Sequence, residues 1–165
     1  MKTYIGIDNG VTGSIGIIHV DESPASLYPM PTFSQQNYTK TKANITRIHG
    51  KKLNQILKHY IFSPGAFVVI ERPMVNPGRF KATVSAIRAL EATQIVLEDL
   101  ELPYQFVDSK EWQRELLPAG CEKEELKDAS SDIGIRLFPH LKPEIEKQKD
   151  ADAILMAEWA RRKGL

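Results

Sequence analysis

The sequence has almost no cysteine, no long apolar run and no segment resembling a leader. Cys121 is the single cysteine among 165 residues, so an internal disulfide and a zinc site built from cysteines are both excluded. No apolar stretch approaches the roughly 18–20 residues that a membrane-spanning helix needs. The first residues also lack the layout of a signal peptide. We therefore expect a reducing, cytoplasmic location and no membrane association.

Nucleotide-binding motifs are missing as well. The turn from Gly10 to Ser14 has neither the Gly-Lys-Ser/Thr ending of a phosphate loop nor a dinucleotide fingerprint, so no nucleotide cofactor is expected. The four histidines are scattered without metal-ligand spacing. The length fits one core, and we predict a single domain over residues 1–165.

Acidic residues are nearly absent from one part of the chain. Residues 40–88 contain ten lysines and arginines but a single acid, Glu71, which gives this stretch a charge of +9. The other residues must then carry −8, because the whole chain carries +1. Such asymmetry is typical of a face that binds a polyanion, although a solvated basic helix and loop would give the same count.

Apolar periodicity predicts an α/β protein with the element order β-β-β-α-β-α-β-α-α, and hence a mixed five-stranded sheet flanked by helices. Strands are predicted near 3–8, 14–20, 26–30, 66–70 and 104–107. Helices are predicted near 47–62, 83–100, 123–137 and 151–163, with a helical turn near 110–117. Residues 31–46 hold no clear period and are predicted to form a long loop that could be mobile without a partner.

Two acids stand at the ends of predicted strands. Asp8 ends the first strand, and Glu71 ends the most apolar strand, which should be central. Carboxylates at the ends of neighbouring strands are what a hard divalent cation needs, because such cations prefer oxygen ligands. The alternatives are that Asp8 only opens the turn at Asn9 and that Glu71 is a surface acid paired to Arg72.

A third acidic segment, Asp150-Ala151-Asp152-Ala153, opens the last predicted helix. Its small alanines allow the helix to approach another element closely, and carboxylates are favoured at a helix N-terminus. Asp150 could be a metal ligand or a plain N-cap. Asp152 is harder to explain as a cap, because it lies inside the first turn.

These motifs together resemble the RuvC-type Holliday-junction resolvases of the ribonuclease H-like superfamily. The resemblance rests on the ordered set Ile5–Gly10 with Thr12-Gly13, Ile70–Pro73 and Ala151–Ala157, and it covers nearly the whole chain. It implies a ribonuclease H-like fold and a metal-binding role for Asp8, Glu71 and Asp152. The family has a second helix acid three residues before the position of Asp152, where this chain has Lys149, so Asp150 is the nearest candidate for a fourth ligand.

The sequence does not show whether Asp150 can face the same ions as Asp152. Two residues apart is about 200° around a helix, so Asp150 and Asp152 can face the same ions only if Asp150 lies in a non-helical cap.

The resemblance also suggests residues that contact DNA. The loop holding Arg79, Phe80 and Lys81 resembles the junction-contacting segment, in which an aromatic ring can wedge between bases. Phe80 could instead be a core residue that opens the next helix. Lys127 resembles a lysine near the scissile phosphate, with an ordinary surface lysine as the alternative and Lys110 as a weaker candidate. The remaining expected DNA contacts are Lys51, Lys52 and Arg72.

The function predicted from these features is hydrolysis of branched DNA by two Mg²⁺ or Mn²⁺ ions per active site. Paired symmetric nicks in a four-way junction require two sites, which implies a homodimer. The helix 83–100 is the expected dimer element, because Ala86, Ala89 and Ala92 would allow close approach.

Three other functions share features with this sequence. Sugar kinases and actin-like ATPases share the core of this fold, but they need two such domains to enclose ATP, and 165 residues are too few. A non-catalytic DNA-structure-binding protein of the same fold stays open, as does a nuclease acting on flaps, forks or RNA.

Overall fold

The protein contains a five-stranded mixed sheet with helices on both faces. The computed structural model describes residues 2–20, 23–61 and 65–165. The sheet has the order β3-β2-β1-β6-β7, in which β1–β2 and β2–β3 are antiparallel and β1–β6 and β6–β7 are parallel. Its strands are β1 (Thr3–Ile7), β2 (Ser14–His19), β3 (Ser26–Pro29), β6 (Ala66–Glu71) and β7 (Tyr104–Val107). This confirms the predicted sheet and the interior position of the most apolar strand.

Six α-helices and a second, two-stranded sheet complete the described chain. The helices are α1 (Gly50–Tyr60), α2 (Phe80–Asp99), α3 (Ser109–Leu116), α4 (Leu126–Leu137), α5 (Lys142–Gln148) and α6 (Asp152–Lys163). The small sheet pairs β4 (Thr32–Gln36) with β5 (Asn44–Ile48) in antiparallel orientation. Within the described ranges, no helix has the length and hydropathy needed to cross a membrane.

Each face of the sheet supports its own apolar core, because successive side chains of a strand point to opposite faces. Tyr4 of β1 packs in a core with α6, whereas Ile5 and Ile7 pack in the other core with residues of α1 and α2. The helix α6 is deeply buried, since every residue from Ala153 to Ala160 is buried. It crosses directly over β1 and β2.

Two glycines allow α6 to lie unusually close to the sheet. Gly6 and Gly16 are paired across β1 and β2. A Cβ added at Gly6 would lie 2.0 Å from the Ala153 carbonyl oxygen, and one at Gly16 would lie 2.4 Å from the Ile154 Cα. Any side chain at either position would push the helix away, so these glycines hold the start of α6 against the end of β1.

The predicted loop over residues 31–46 is wrong, because these residues form most of the β4–β5 hairpin. Both of its faces are largely exposed, and Ile48 is the one residue of the two strands that is buried. A hairpin without a core face has no alternation of apolar and polar residues, which is why periodicity missed it. Because β5 extends to Ile48, α1 begins at Gly50 and not at the predicted residue 47. The predicted end of this helix, residue 62, lies outside the described residues.

Two further differences concern helices. The prediction missed α5, a short helix with one buried residue, Ile145, and a proline near its start, where helices tolerate it. The alanines proposed for a dimer contact do not form a free surface: Ala89 is buried in this chain's own core and Ala92 packs against it. The large apolar side chains that α2 does expose beyond Phe80 are Ile87 and Ile95.

Candidate metal centre

Asp8 and Glu71 meet at one edge of the sheet. The parallel strands β1 and β6 place Ile7 opposite Ile70, so the next residue of each strand is an acid at the same edge. The two carboxyl groups lie close enough to affect each other's pKa, and the Ser109 side chain at the start of α3 lowers the pKa of Glu71. The predicted convergence of the two strand ends therefore holds in the structure.

Asp152 reaches this edge from the first turn of α6 and is held there by Ser130. The Ser130 hydroxyl donates to Asp152 Oδ1 at 2.5 Å and accepts from the Ala151 backbone N–H at 3.1 Å. Ser130 is fully buried in α4, and Gly134, one turn further on, leaves room for Ala151: a Cβ added at Gly134 would lie 2.3 Å from the Ala151 Cβ. The inner face of α4 thus fixes the residues that precede and open α6.

Asp150 lies in a non-helical link between α5 and α6. Lys149 has a left-handed backbone with φ 69°, and Ala151, not Asp150, occupies the N-cap position of α6. Asp150 is only 5% exposed, and its Oδ2 lies 3.5 Å from Lys127 Nζ. Its Oδ1 is buried and has no hydrogen-bond partner among the described residues. Capping therefore does not explain Asp150, and the non-helical geometry that a ligand role requires is present.

The four carboxyl groups, which we call the acidic cluster (Asp8, Glu71, Asp150 and Asp152), repel one another. Burial raises the pKa of Asp8 well above its usual value, and the charges of the other three acids raise it further. Burial also raises the pKa of Glu71 and brings the pKa of Asp152 to about 7, against a bond from Ser130 that lowers it. Without added positive charge, Asp152 is partly protonated near neutral pH.

The donor set of the acidic cluster fits a hard divalent cation. It consists of carboxylate oxygens, and the unpaired Asp150 Oδ1 is a buried acceptor that a cation would satisfy. In the described part of the chain, no three Asp, Glu, His or Cys side chains are grouped closely enough to hold a metal ion as they stand. The effects of the four carboxyl groups on one another's pKa values nevertheless show that they are neighbours.

Other predicted residues surround the acidic cluster in different ways. Arg72 does not pair with Glu71: its Nε lies 2.8 Å from Asp108 Oδ1, and its guanidinium lies 5.3 Å from the centre of the Phe106 ring. Lys127 is exposed on α4, where it pairs with Asp150 and its charge lowers the pKa of Asp152.

The start of α2 lies near the acidic cluster, because Asn9 Nδ2 donates to the Ala86 carbonyl at 3.2 Å. Phe80 is 72% exposed, which excludes the core role for it, and Arg79 and Lys81 are exposed beside it. Lys110 is exposed on α3 next to Ser109. Lys51 and Lys52 lie apart from the acidic cluster on α1, across the sheet from α6.

The sequence did not single out Ser130, Gly6 or Gly16. Ser130 is followed by Ser131 in an ordinary polar helix, and nothing in the spacing separates the two residues. Gly6 and Gly16 belong to strands whose pairing is visible only once the sheet is known. The alanines beside Asp152 were the available signal of close approach, and α6 does approach β1 closely.

The comparisons agree with this architecture. No family model and no curated protein matches the sequence. Solved structures do match, among them two that cover nearly the full length. One, Thermus thermophilus RuvC in complex with Holliday junction substrate, has a TM-score of 0.61 at 12% identity and covers 99% of this chain and 97% of its own. The other, Thermus thermophilus RuvC, has a TM-score of 0.57 at 15% identity and covers 98% and 96%. The chain therefore has the ribonuclease H-like fold of the RuvC structures, as its motifs predict.

Proposed function

We propose that the chain is a metal-dependent endonuclease that resolves four-way or other branched DNA by paired symmetric nicks. The observation that carries the proposal is the acidic cluster, in which carboxyl groups from β1, β6 and the α5–α6 link meet at one edge of the sheet. Asp150 is buried and the other three acids are half-buried, and bringing four carboxyl groups together in such a place is costly. Such a group is stable when it binds cations.

Within the proposed site, Asp8 is the central ligand, because its pKa responds to all three other acids. Glu71, Asp152 and Asp150 complete the protein ligands. Mg²⁺ or Mn²⁺ ions bound there, two per site, would activate a water, hold the scissile phosphate and stabilise the leaving 3′ oxygen. Ser130 keeps one Asp152 oxygen in place. Lys127 lies at the rim, where its ammonium group can leave Asp150 and contact a phosphate.

Branched DNA is the substrate that best fits the surroundings. One structural neighbour is a RuvC protein bound to Holliday junction substrate. Around the acidic cluster, the cations expected to contact phosphates are Arg72, Arg79, Lys81 and Lys110, and the exposed Phe80 ring can stack on an unpaired base.

Paired nicks require two active sites, so we propose a twofold homodimer. The exposed side of α2 is the candidate contact, since Ile87 and Ile95 are eight residues apart and lie on similar sides of the helix. We therefore choose α2 as the dimer contact because of these exposed apolar side chains, and no longer because of its alanines.

The direct test is cleavage of a synthetic four-way junction in Mg²⁺, in Mn²⁺ and in a chelator. The proposal predicts symmetric nicks in two opposite strands with either metal and none in the chelator. Matched flap, fork, linear duplex and RNA substrates identify the preferred structure. Junction binding without metal-dependent cleavage of any substrate would instead identify a non-catalytic binding protein.

A further inference from the structure

The β4–β5 hairpin leaves the body of the protein next to the acidic cluster. Residues 32–48, which we call the hairpin arm, start after Met30, whose backbone N–H donates to the Gly13 carbonyl at 2.9 Å. Gly13 itself packs on Asp8: a Cβ added there would lie 2.0 Å from the Asp8 carbonyl oxygen. The arm returns where the His49 N–H donates to the Pro31 carbonyl at 2.8 Å. Its base is therefore fixed to the turn that carries Asp8.

The hairpin arm contributes little to the apolar core. The side chains of its strands are mostly exposed, and beside the buried Ile48 the Phe33 ring remains 38% exposed. The strand pair is held by its own backbone ladder and by contacts of β5 with α2. Core formation does not explain why the chain builds this arm.

The tip of the arm is an ordered turn rather than a loose loop. Asn37 Oδ1 accepts from the Thr39 backbone N–H at 3.1 Å and from the Thr39 hydroxyl at 2.7 Å. The backbone closes with Asn37 N–H donating to the Ala43 carbonyl at 2.8 Å. This turn presents Tyr38, which is 85% exposed, beside Lys40 and Lys42.

Charge on the arm has one sign. The sequence contains no acid between Ser23 and Ile70, and the arm itself carries Lys40, Lys42 and Arg47. Arg47 is held across the strand pair by a bond from its Nη1 to Gln35 Oε1 at 3.2 Å, with its guanidinium 5.8 Å from the centre of the Phe33 ring. The arm thus combines one cation held in place, Arg47, and two exposed lysines with hydroxyl and amide side chains, which are the groups that proteins use on phosphates and base edges.

We propose that the hairpin arm is a second DNA-binding element, which lies along a duplex arm of the branched substrate whose branch point is at the acidic cluster. The inference rests on the proposed function. A strand of five residues rises about 17 Å, and the major groove, about 12 Å wide, admits a two-stranded ribbon. Lys40 and Lys42 contact phosphates at the far end of the arm, and the Tyr38 hydroxyl donates to a third.

The experiment measures the affinity for a four-way junction and for linear duplex against salt concentration, in Mg²⁺-free buffer. In Lys40→Gln/Lys42→Gln, the log–log salt slope should become less steep by about 1.8, since each phosphate contact contributes about 0.9. Tyr38→Ala should weaken binding by about 2–10-fold. The matched control is Arg136→Gln/Lys142→Gln, which removes two exposed charges from α4 and α5 and should leave the slope unchanged.

The outcomes separate this inference from the proposed function. A flatter slope in the arm variant beside an unchanged control supports the arm. Wild-type slopes and affinities in both arm variants, with salt-dependent binding intact, overturn the arm and leave the nuclease proposal standing. Equal flattening in the arm variant and its control also overturns it, because net charge alone would then explain the effect. Salt-independent binding by the wild-type chain would contradict both proposals.

Discussion

The acidic edge of the sheet and the basic hairpin side of the molecule are built in opposite ways. Each member of the acidic cluster is buried or half-buried, and its position is set by a strand register, a helix start or a bond from a neighbour. The basic side chains on the arm and on α1, by contrast, are largely exposed. The protein core therefore fixes the positions of the acidic side chains, whereas the basic side chains extend into solvent.

This difference predicts different consequences of mutation. Changes in the acidic cluster should alter chemistry and also folding, because the acids repel one another in the folded state. Changes on the basic side should alter affinity alone, because exposed cations contribute little to folding.

The largest effect is expected for Asp8, Glu71 and Asp152. The family resemblance implies that these three acids bind metal, and the structure brings them together. Asp8→Asn, Glu71→Gln and Asp152→Asn should each reduce junction cleavage by about 10²–10³-fold or more, because each removes a charged ligand. Junction affinity should stay near wild type, and metal-free stability should hold or rise as repulsion falls. Single-turnover cleavage and urea unfolding check both parts. Near wild-type cutting by one variant would remove that residue from the ligand set.

Asp150→Asn is expected to cost about as much activity as Asp152→Asn. Its carboxylate is buried in a non-helical link, and one oxygen lacks a hydrogen-bond partner among the described residues. The measurement is cleavage rate against Mg²⁺ concentration for both variants. A wild-type Mg²⁺ dependence in Asp150→Asn, beside an inactive Asp152→Asn, would leave three acids as the protein ligands.

Ser130→Ala should have a smaller, intermediate effect. It frees Asp152 Oδ1 and leaves the Ala151 N–H without its partner, so the Mg²⁺ concentration for half-maximal cleavage should rise about 10–100-fold. Stability should fall by about 1 kcal/mol, as for a lost helix cap. Ser131→Ala, on the adjacent half-buried residue of α4, is the control. Equal behaviour of the two variants would mean that Ser130 does not position Asp152.

The pH dependence of folding provides a test without DNA. Since the pKa of Asp152 is raised from 3.8 to about 7, the folded state binds the proton more tightly than the unfolded state. The stability of the metal-free protein should therefore be highest below about pH 4 for this group and decline as pH rises through about 7. Asp152→Asn should flatten the decline, and Mg²⁺ should oppose it at pH 8. A rise in stability between pH 5 and 7 caused by Asp152 would contradict the sign.

The smallest effect on cleavage is expected from Lys51→Glu/Lys52→Glu on α1. These exposed side chains lie apart from the acidic cluster, so the variant should weaken duplex and junction binding alike and leave folding unchanged. Each lost phosphate contact should flatten the log–log salt slope by about 0.9. A loss specific to the junction would assign these lysines to recognition of the branch.

Part of the site could be predicted because it depends on local patterns. Alternation in β1 placed Asp8 at a strand end, and the apolar run before Glu71 placed it at the end of a central strand. The comparison with RuvC structures confirms the fold that these patterns imply. Helix geometry also showed that Asp150 can be a ligand only in a non-helical cap, but the sequence alone did not show whether such a cap forms. The left-handed backbone at Lys149 becomes visible only in the structure.

The parts that could not be predicted depend on long-range packing or on solvent-exposed backbone. Ser130 acts through Asp152, 22 residues away in the chain. The Gly6–Gly16 pair matters only because α6 crosses it. The hairpin arm has no core face, so its strands lack the alternation of apolar and polar residues from which strands are predicted.

We expect the acidic edge to perform the chemistry and the basic side to perform the binding. Single-turnover cleavage of a four-way junction at saturating protein, with the dissociation constant measured on the same samples, tests this division. For Asp8→Asn we predict near wild-type binding and no cleavage. For Lys51→Glu/Lys52→Glu we predict weaker binding and a wild-type cleavage rate at saturation. Cleavage by Asp8→Asn, or a rate at saturation that falls in the lysine variant as far as in the acid variant, would contradict the account.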